Sequence, residues 1–477
     1  MQLNKIIQKD YTSFSLYYQI KLPLDLEISI PSDDPVRLVS AFVEEMDLSE
    51  LYKTYGRIRK HQATPRQMLK LVIYAAMNRI YSSRDIRKAC KRDINFMYLL
   101  EGMPAPDHAT IARFISLHFS VCAKALLAQM SDLLYLLGEI SGKTIFIDGT
   151  KIESVANKYT FVWKRAITKN QVRLYTKLFS FVAECEELYG IKMVYHDRIS
   201  IHTLKRLKKQ LCRIKVREGI VFVHGIGRRK TQLQKSLEQL DQYLEKLKEY
   251  TKKLYTLGDR NSYSKTDPDA TFMRMKEDAM LNGQLKPAYN IQHGVDSEYI
   301  TWLDISSHPT DTCTLIPFLK DMDRYLGFKY SEIVADAGYE SEENYLFIEK
   351  NGQTAYIKPQ NYEISKTRKY KKDISRRENM EYHADSDSYI CRNGRELIAT
   401  NERRSKTVSG YVSIKTYYRS PDCTGCPYKT DCIKGNNCKT PMEKRNKVLM
   451  VSKTMSQKRA EDLERITSEY GTMLRMN

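Results

Sequence analysis

With 477 residues the chain is too long for one compact core, and two to four domains are expected on length alone. Its 78 Lys and Arg against 58 Asp and Glu leave a formal charge of +20, more than solubility needs, which favours a polyanionic partner, nucleic acid ahead of anionic lipid. No run approaches the roughly 20 uninterrupted apolar residues of a membrane span, and Met1-Gln2-Leu3-Asn4-Lys5 leads into no signal-type apolar core. The chain is therefore expected to be cytoplasmic, with no membrane partner.

Residues 1–34 read as an arm with little core of its own, ending in Pro31-Ser32-Asp33-Asp34-Pro35, a turn that presets a helix start at Val36. From 35 to 140 the pattern is helical, with start signals at Thr64 before Pro65, at Ser82 and Ser83 before Arg84-Asp85-Ile86, and at Asp107 before His108-Ala109-Thr110-Ile111. Basic residues recur through it: Arg57, Arg59, Lys60, Arg66, Lys70, Arg79, Arg84, Arg87, Lys88, Lys91, Arg92 and Arg113. A charge run is by itself a solvated helix face; in so basic a chain it predicts an α-helical DNA-binding domain. Asp107 to Phe119, after the turn Gly102-Met103-Pro104-Ala105-Pro106, is the candidate recognition helix.

The next segments predict a catalytic core broken by two insertions. Ile145-Phe146-Ile147-Asp148-Gly149-Thr150 reads as a buried strand ending in a carboxylate, and 141–160 with 286–352 as the core. Between them, 161–285 is predicted as a helical insertion, because Leu233, Leu237, Leu240, Leu244 and Leu247 recur at three- and four-residue steps. Strands at 287–293 and 299–305 are joined by a predicted turn, Gly294-Val295-Asp296-Ser297, and a helix over 311–326 leads to a second apolar run ending in Asp336-Ala337-Gly338-Tyr339. A helix over 345–350 follows. Residues 353–445 alternate short Tyr-, Lys- and Arg-rich strands, a β-rich insertion, and 446–477 turns helical again from about Lys447 to Ser468.

Six of the ten cysteines, Cys90, Cys122, Cys185, Cys212, Cys313 and Cys391, are scattered and read as reduced thiols. The other four crowd together as Cys423-x2-Cys426-x5-Cys432-x5-Cys438. That spacing admits a structural Zn²⁺ bound by thiolates, a reduced cluster without metal, or an iron–sulfur centre. The interleaved Lys429, Lys434 and Lys439 also allow contact with DNA.

The two aspartates carry the chemistry. A carboxylate held at the end of a buried strand is rigid yet free to bind a divalent cation, and two such sites suggest metal-dependent phosphoryl transfer. Each has a plainer reading as a bend residue after a strand. A dehalogenase-type phosphatase motif is weighed and fails, because Phe146 stands where its nucleophilic aspartate belongs.

The runs Asp148 to Ser154, Lys286 to Gln292 and Asp336 to Tyr339, together with the helical residues 36–120, resemble the DDE transposases of the IS1182 group of bacterial insertion sequences, in the IS4/IS5-like superfamily. The resemblance implies an α+β multidomain chain: an RNase H-like α/β catalytic core, an N-terminal α-helical DNA-binding domain, a helical insertion and a β-rich insertion. It implies that Asp148 and Asp336 are the first two ligands of a two-Mg²⁺ site, that the partner is double-stranded DNA at terminal inverted repeats and target, that a homodimer pairs the two ends, and that the protein is bacterial and nucleoid-associated. The family's third carboxylate resembles a glutamate on a late helix. Glu461, Glu464 and Glu469 are the candidates; Arg465 and Glu469 have the relative spacing of the family's arginine and glutamate, but no lysine follows Glu469, so the chain is expected to be C-terminally truncated. The alternatives are a catalytically inactive DNA-binding remnant, or a general nuclease that ignores terminal repeats.

Overall fold

The computed structural model describes residues 30–57, 60–195, 197–225, 227–275, 283–407, 409–435 and 438–476. Most of the expected N-terminal arm, and Arg59 of the basic series, lie outside the described residues. The chain divides into two compact units, Met1–Ser141 with Met322–Lys329, and Gly142–Asp321 with Tyr330–Asn477.

The first unit is helical: α1 Pro35–Glu45, α2 Ser49–Lys53, α3 Pro65–Met77, α4 Ser83–Arg92, α5 Ile94–Leu100, α6 His108–Arg113, a π-helical turn Phe114–Phe119 and α7 Ser120–Leu136. Several starts follow the sequence signals. Asp34 accepts the Val36 N–H, Thr64 and Gln67 form a reciprocal capping box, and Asp107 accepts the Ala109 N–H; such caps contribute about 1 kcal/mol each. Ser82 occupies its cap position without a side-chain hydrogen bond. Val36, Leu51, Leu69, Leu71, Phe96, Leu99 and Ile111 form the core.

One member of the basic series is misplaced by sequence reasoning. Lys70 is 1% exposed and bridges Glu44 at 2.5 Å and Glu101 at 2.8 Å. Burial alone would lower its pKa, but the hydrogen bonds to Glu101 and Glu44 outweigh that and hold it raised, so it is an internal ion pair and not a phosphate contact. Arg57, Lys60, Arg79, Arg84, Lys91, Arg92 and Arg113 are exposed. The helix His108–Leu136 is long and apolar enough to cross a membrane by length and composition, with 28% of its apolar window buried; Ile111, Phe114, Cys122 and Leu126 on it bury in the bundle core.

The second unit is built on a six-stranded sheet ordered β4-β5-β1-β7-β8, with β6 also on β5. These are β1 Thr144–Glu153, β4 Thr271–Arg274, β5 Leu285–Asp296, β6 Tyr299–Ser306, β7 Glu332–Ala335 and β8 Thr354–Ile357, while β2 Phe161–Trp163 and β3 Ser262–Ser264 pair separately. β5 is antiparallel to β1, β4 and β6, and β1-β7-β8 are parallel. The long helices α8 Lys164–Tyr189, α9 Ile201–Arg217 and α10 Gln232–Leu257 close their own core, with Leu233, Leu237, Leu240, Leu244 and Leu247 all buried. After α11 Leu315–Tyr325 and α12 Glu342–Lys350, a second sheet ordered β13-β12-β11-β10-β9 forms from β9 Glu381–His383, β10 Ser388–Ile390, β11 Glu396–Lys406, β12 Val412–Arg419 and β13 Val448–Val451. α13 Lys453–Thr467 and α14 Glu469–Met476 end the chain's described part.

Three boundaries differ from expectation. The turn between β5 and β6 is Ser297-Glu298, both at positive φ (51° and 71°), so Gly294 is inside a strand. It is needed there because a Cβ would lie 2.5 Å from Ile145 Cδ1 and 3.1 Å from Phe318. Residues 448–451 extend the second sheet through pairing with β12 before the helix begins. Asp148 is not at the end of its strand: β1 continues pairing with β5 as far as Glu153 opposite Ala288.

Candidate catalytic carboxylate site

Strand pairing brings the two sequence-predicted aspartates together. In the parallel β1–β7 ladder Ile147 is opposite Ala335, where β7 ends. Asp148 follows Ile147 on β1 and Asp336 follows Ala335 just past the end of β7, so the two occupy adjoining positions on strands that run about 4.8 Å apart. Both are exposed, above the buried Ile145, Ile147, Ile333, Val334 and Ala335. Asp148 Oδ1 accepts its neighbour's Gly149 N–H at 2.7 Å, and Asp336 Oδ1 accepts the Gly338 N–H at 2.8 Å, capping the short 3₁₀ turn Ala337–Tyr339. Those bonds orient the carboxylates and leave them acceptors only.

Beneath them lies a buried polar network. Asn290 Nδ2 donates to Asp311 Oδ1 at 2.7 Å, Gln292 Nε2 donates to Asn290 Oδ1 at 3.0 Å and Asp311 Oδ1 at 3.3 Å, and Tyr339 OH donates to Gln292 Oε1. Asn290 and Gln292 are fully buried. Burial, then the charges of Asp311, Asp148 and Asp336, push the Tyr339 phenol upward, so it remains a donor. The network fits against the glycines beside both aspartates: a Cβ on Gly149 would lie 2.8 Å from Gln292 Nε2 and 2.9 Å from Asp311 Oδ1, and one on Gly338 would lie 3.0 Å from both Asp311 Oδ2 and Asp336 Oδ1. Asp311 thus belongs to the site although sequence reasoning gave it only as a helix start. A single aspartate before a helix has the signature of an ordinary cap, and nothing local separates the two.

The late helix packs on the far edge of the sheet. Asp462 of α13 is fully buried and accepts from Tyr345 OH at 3.2 Å and from the Ile357 N–H of edge strand β8 at 3.3 Å. Arg459 forms a two-pronged ion pair with the buried Glu340. Burial raises the Asp462 carboxyl to about 6, against the opposing hydrogen bond from Ile357 and the Arg465 charge. Of the glutamates named as third ligands, Glu461 pairs with Lys458 at 2.9 Å, and Glu464 and Glu469 are exposed.

Among the described residues no three His, Cys, Asp or Glu side chains are grouped so as to hold a metal ion. Asp148 and Asp336 nonetheless suit Mg²⁺, which is bound by one or two carboxylates plus waters and substrate phosphates and not by a closed protein cage. Of the cysteines in the sequence cluster, Cys423 is buried, Cys426 and Cys432 are half-buried, and Cys438 is exposed. Hydrogen bonds from Thr440 hold the Cys438 thiol below its ordinary range.

Two known families match the chain. A transposase domain (DUF772) matches residues 24–117, within the helical unit, and a transposase DDE domain matches residues 390–477, which spans most of the second sheet, α13 and α14. Neither segment includes Asp148 or Asp336. No curated protein and no solved structure matches. Both ends of the chain are therefore similar to transposase domains, and that likeness supports a transposase function.

Proposed function

We propose that this chain is the transposase of an insertion sequence of the IS1182 group, binding double-stranded DNA at terminal inverted repeats and cleaving and joining it at an Mg²⁺ site on Asp148 and Asp336. The observation that carries the reading is the placement of these carboxylates side by side where parallel strand β7 ends against β1. The sheet supports an RNase H-like core, since β6-β5-β1 are antiparallel and β1-β7-β8 parallel. Two transposase-domain matches imply DNA as the partner, and the exposed cations of the helical unit offer a phosphate-binding surface.

In this mechanism Asp148 and Asp336 would hold Mg²⁺, whose chemistry when bound would be activation of a water or 3′-hydroxyl and charge stabilisation of the leaving oxygen in an in-line displacement. The protein's own contribution is positional. The strand ladder fixes the backbone that carries Asp148 and leads into Asp336, the Gly149 and Gly338 N–H groups orient one oxygen of each carboxylate, and the Asn290–Asp311–Gln292–Tyr339 network packs against Gly149 and Gly338.

Mg²⁺-dependent nicking and strand transfer on DNA carrying the element's terminal repeats tests the reading, with Asp148→Asn and Asp336→Asn as controls. Repeat-specific cleavage lost in both variants supports it; cleavage that ignores the repeats identifies a general nuclease. A second reading, a DNA-binding protein without catalysis, is favoured because among the described residues no three His, Cys, Asp or Glu side chains are grouped so as to hold a metal ion. Repeat-specific binding without cleavage at any Mg²⁺ or Mn²⁺ concentration selects it.

A further inference from the structure

The second sheet gathers a different set of cysteines from the one that sequence spacing selects. Cys391 follows β10 in a tight turn, its N–H donating to Arg395 O at 2.9 Å. The Arg395 guanidinium then reaches across to the Cys423 loop, donating to Asp422 O and, at 2.9 Å, to Thr424 O. That loop turns through Gly425, at φ +67°, to Cys426. The short helix Lys429–Cys432 follows, its first N–H donating to Cys426 O at 3.3 Å.

Lys447 joins the remaining pieces. Its backbone N–H donates to Cys423 Sγ at 3.3 Å, and its half-buried side chain donates through the ammonium to Cys432 O at 2.9 Å. Cys391 and Cys432 pack against one apolar cluster of Met380, Leu397, Tyr418, Leu449 and Val451. Cys438 stands exposed on the following loop, its carbonyl taken by Arg445 at 2.9 Å.

We propose that Cys391, Cys423, Cys426 and Cys432 form a structural Zn²⁺ site, with Cys391 and not Cys438 supplying the fourth thiolate. Zn²⁺ takes four thiolates tetrahedrally at about 2.3 Å. Without the ion no three of these sulfurs stand close enough to hold a metal, so binding draws the Cys423–Cys426 loop onto Cys391 and Cys432 and releases the thiol protons to solvent. The surroundings suit an anionic centre: a backbone N–H already points at Cys423 Sγ, and the Lys447 ammonium lies beside Cys432. The site would tie the β10 turn, the 423–432 loop and the strand β13 that leads into α13 into one rigid corner.

The full-length chain, purified after expression with zinc, tests this through metal content and the visible spectrum of the Co²⁺-substituted form. The expected result is about one zinc per chain and a tetrathiolate cobalt spectrum, both kept by Cys438→Ser and both lost by Cys391→Ser. Zinc lost by Cys438→Ser and kept by Cys391→Ser overturns the assignment, as does an iron–sulfur absorption, or protein that binds no zinc while its thiols are reduced. If Cys391→Ser does not fold, alkylation of the unmodified chain gives the same answer. Zinc should slow iodoacetamide labelling of Cys391, Cys423, Cys426 and Cys432 at least tenfold and leave Cys438 labelled; protection of Cys438 with exposure of Cys391 refutes the proposal.

Discussion

The carboxylate pair and the cysteine corner, both in the second unit, are held in opposite ways. Asp148 and Asp336 are fixed by strand register, with every neighbour from Thr144 to Ile147 paired to Glu332 through Ala335. The cysteines sit in connecting segments fastened by side-chain hydrogen bonds that Arg395 and Lys447 donate and Asn446 Oδ1 accepts from the Cys423 N–H. A backbone ladder sets a site before any ligand arrives, whereas a loop site needs its ligand to finish it. Metal removal should therefore act differently at the two. Chelating Mg²⁺ is expected to stop cleavage without shifting thermal unfolding, while stripping Zn²⁺ lowers the midpoint of the second unit by several degrees. Equal shifts for both ions would break the comparison.

The largest expected effect belongs to the carboxylates themselves. Asp148→Asn and Asp336→Asn keep the shape and hydrogen-bonding reach of each side chain but remove its charge, so cleavage falls to background while the melting temperature and DNA affinity hold. A variant that unfolds, or one that keeps more than a few per cent of cleavage, removes that residue from the site.

Next in size is a pH effect on the edge of the same sheet. The Asp462 carboxyl is raised in the folded chain from an ordinary value of 3.8 to about 6. Its neutral form is thus favoured by folding: the stabilisation is complete below 3.8 and is lost as pH rises through about 6. The total is about 3 kcal/mol, on the order of what burial of an incompletely paired carboxylate costs. Asp462→Asn, which can still accept from Ile357 N–H, should flatten the stability–pH curve between those limits in chemical denaturation; an unchanged curve refutes the assignment.

How much of this was legible in the sequence follows the same division between ladders and loops. Mixed α and β structure, the leucine-stepped insertion and the caps at Thr64 and Asp107 came from local signals, and local forces decide them. The two apolar runs ending in Asp148 and Asp336 were also visible, but that β1 runs on to Glu153 was not, because its continuation is decided by pairing with β5 far along the chain. Lys70 looked like any surface cation; its two glutamate partners are Glu44 of α1 and Glu101 just past the end of α5. Asp311 and Cys391 were passed over for the same reason. Each is a lone residue locally, and only the fold brings Asp311 to Gln292, or Cys391 to the apolar cluster that Cys432 also packs against.

The smallest effect sharpens the comparison most, because it touches the support of the carboxylates and not the carboxylates. Tyr339→Phe removes the hydroxyl that donates to Gln292 Oε1 and leaves that buried oxygen without its donor, at a cost of about 1–3 kcal/mol. Gly149→Ala strikes the same network from above, where its Cβ would meet Gln292, Asp311 and Tyr339 within 3.2 Å. These partners are bonded to one another and cannot swing aside, so overpacking of about 1–3 kcal/mol follows. If the network only stabilises the fold, both variants lower the unfolding midpoint and leave kcat of the surviving folded protein unchanged. If it holds the carboxylates at the spacing a metal requires, each also raises the Mg²⁺ concentration for half-maximal cleavage, and Gly149→Ala, which acts directly beside Asp148, raises it more.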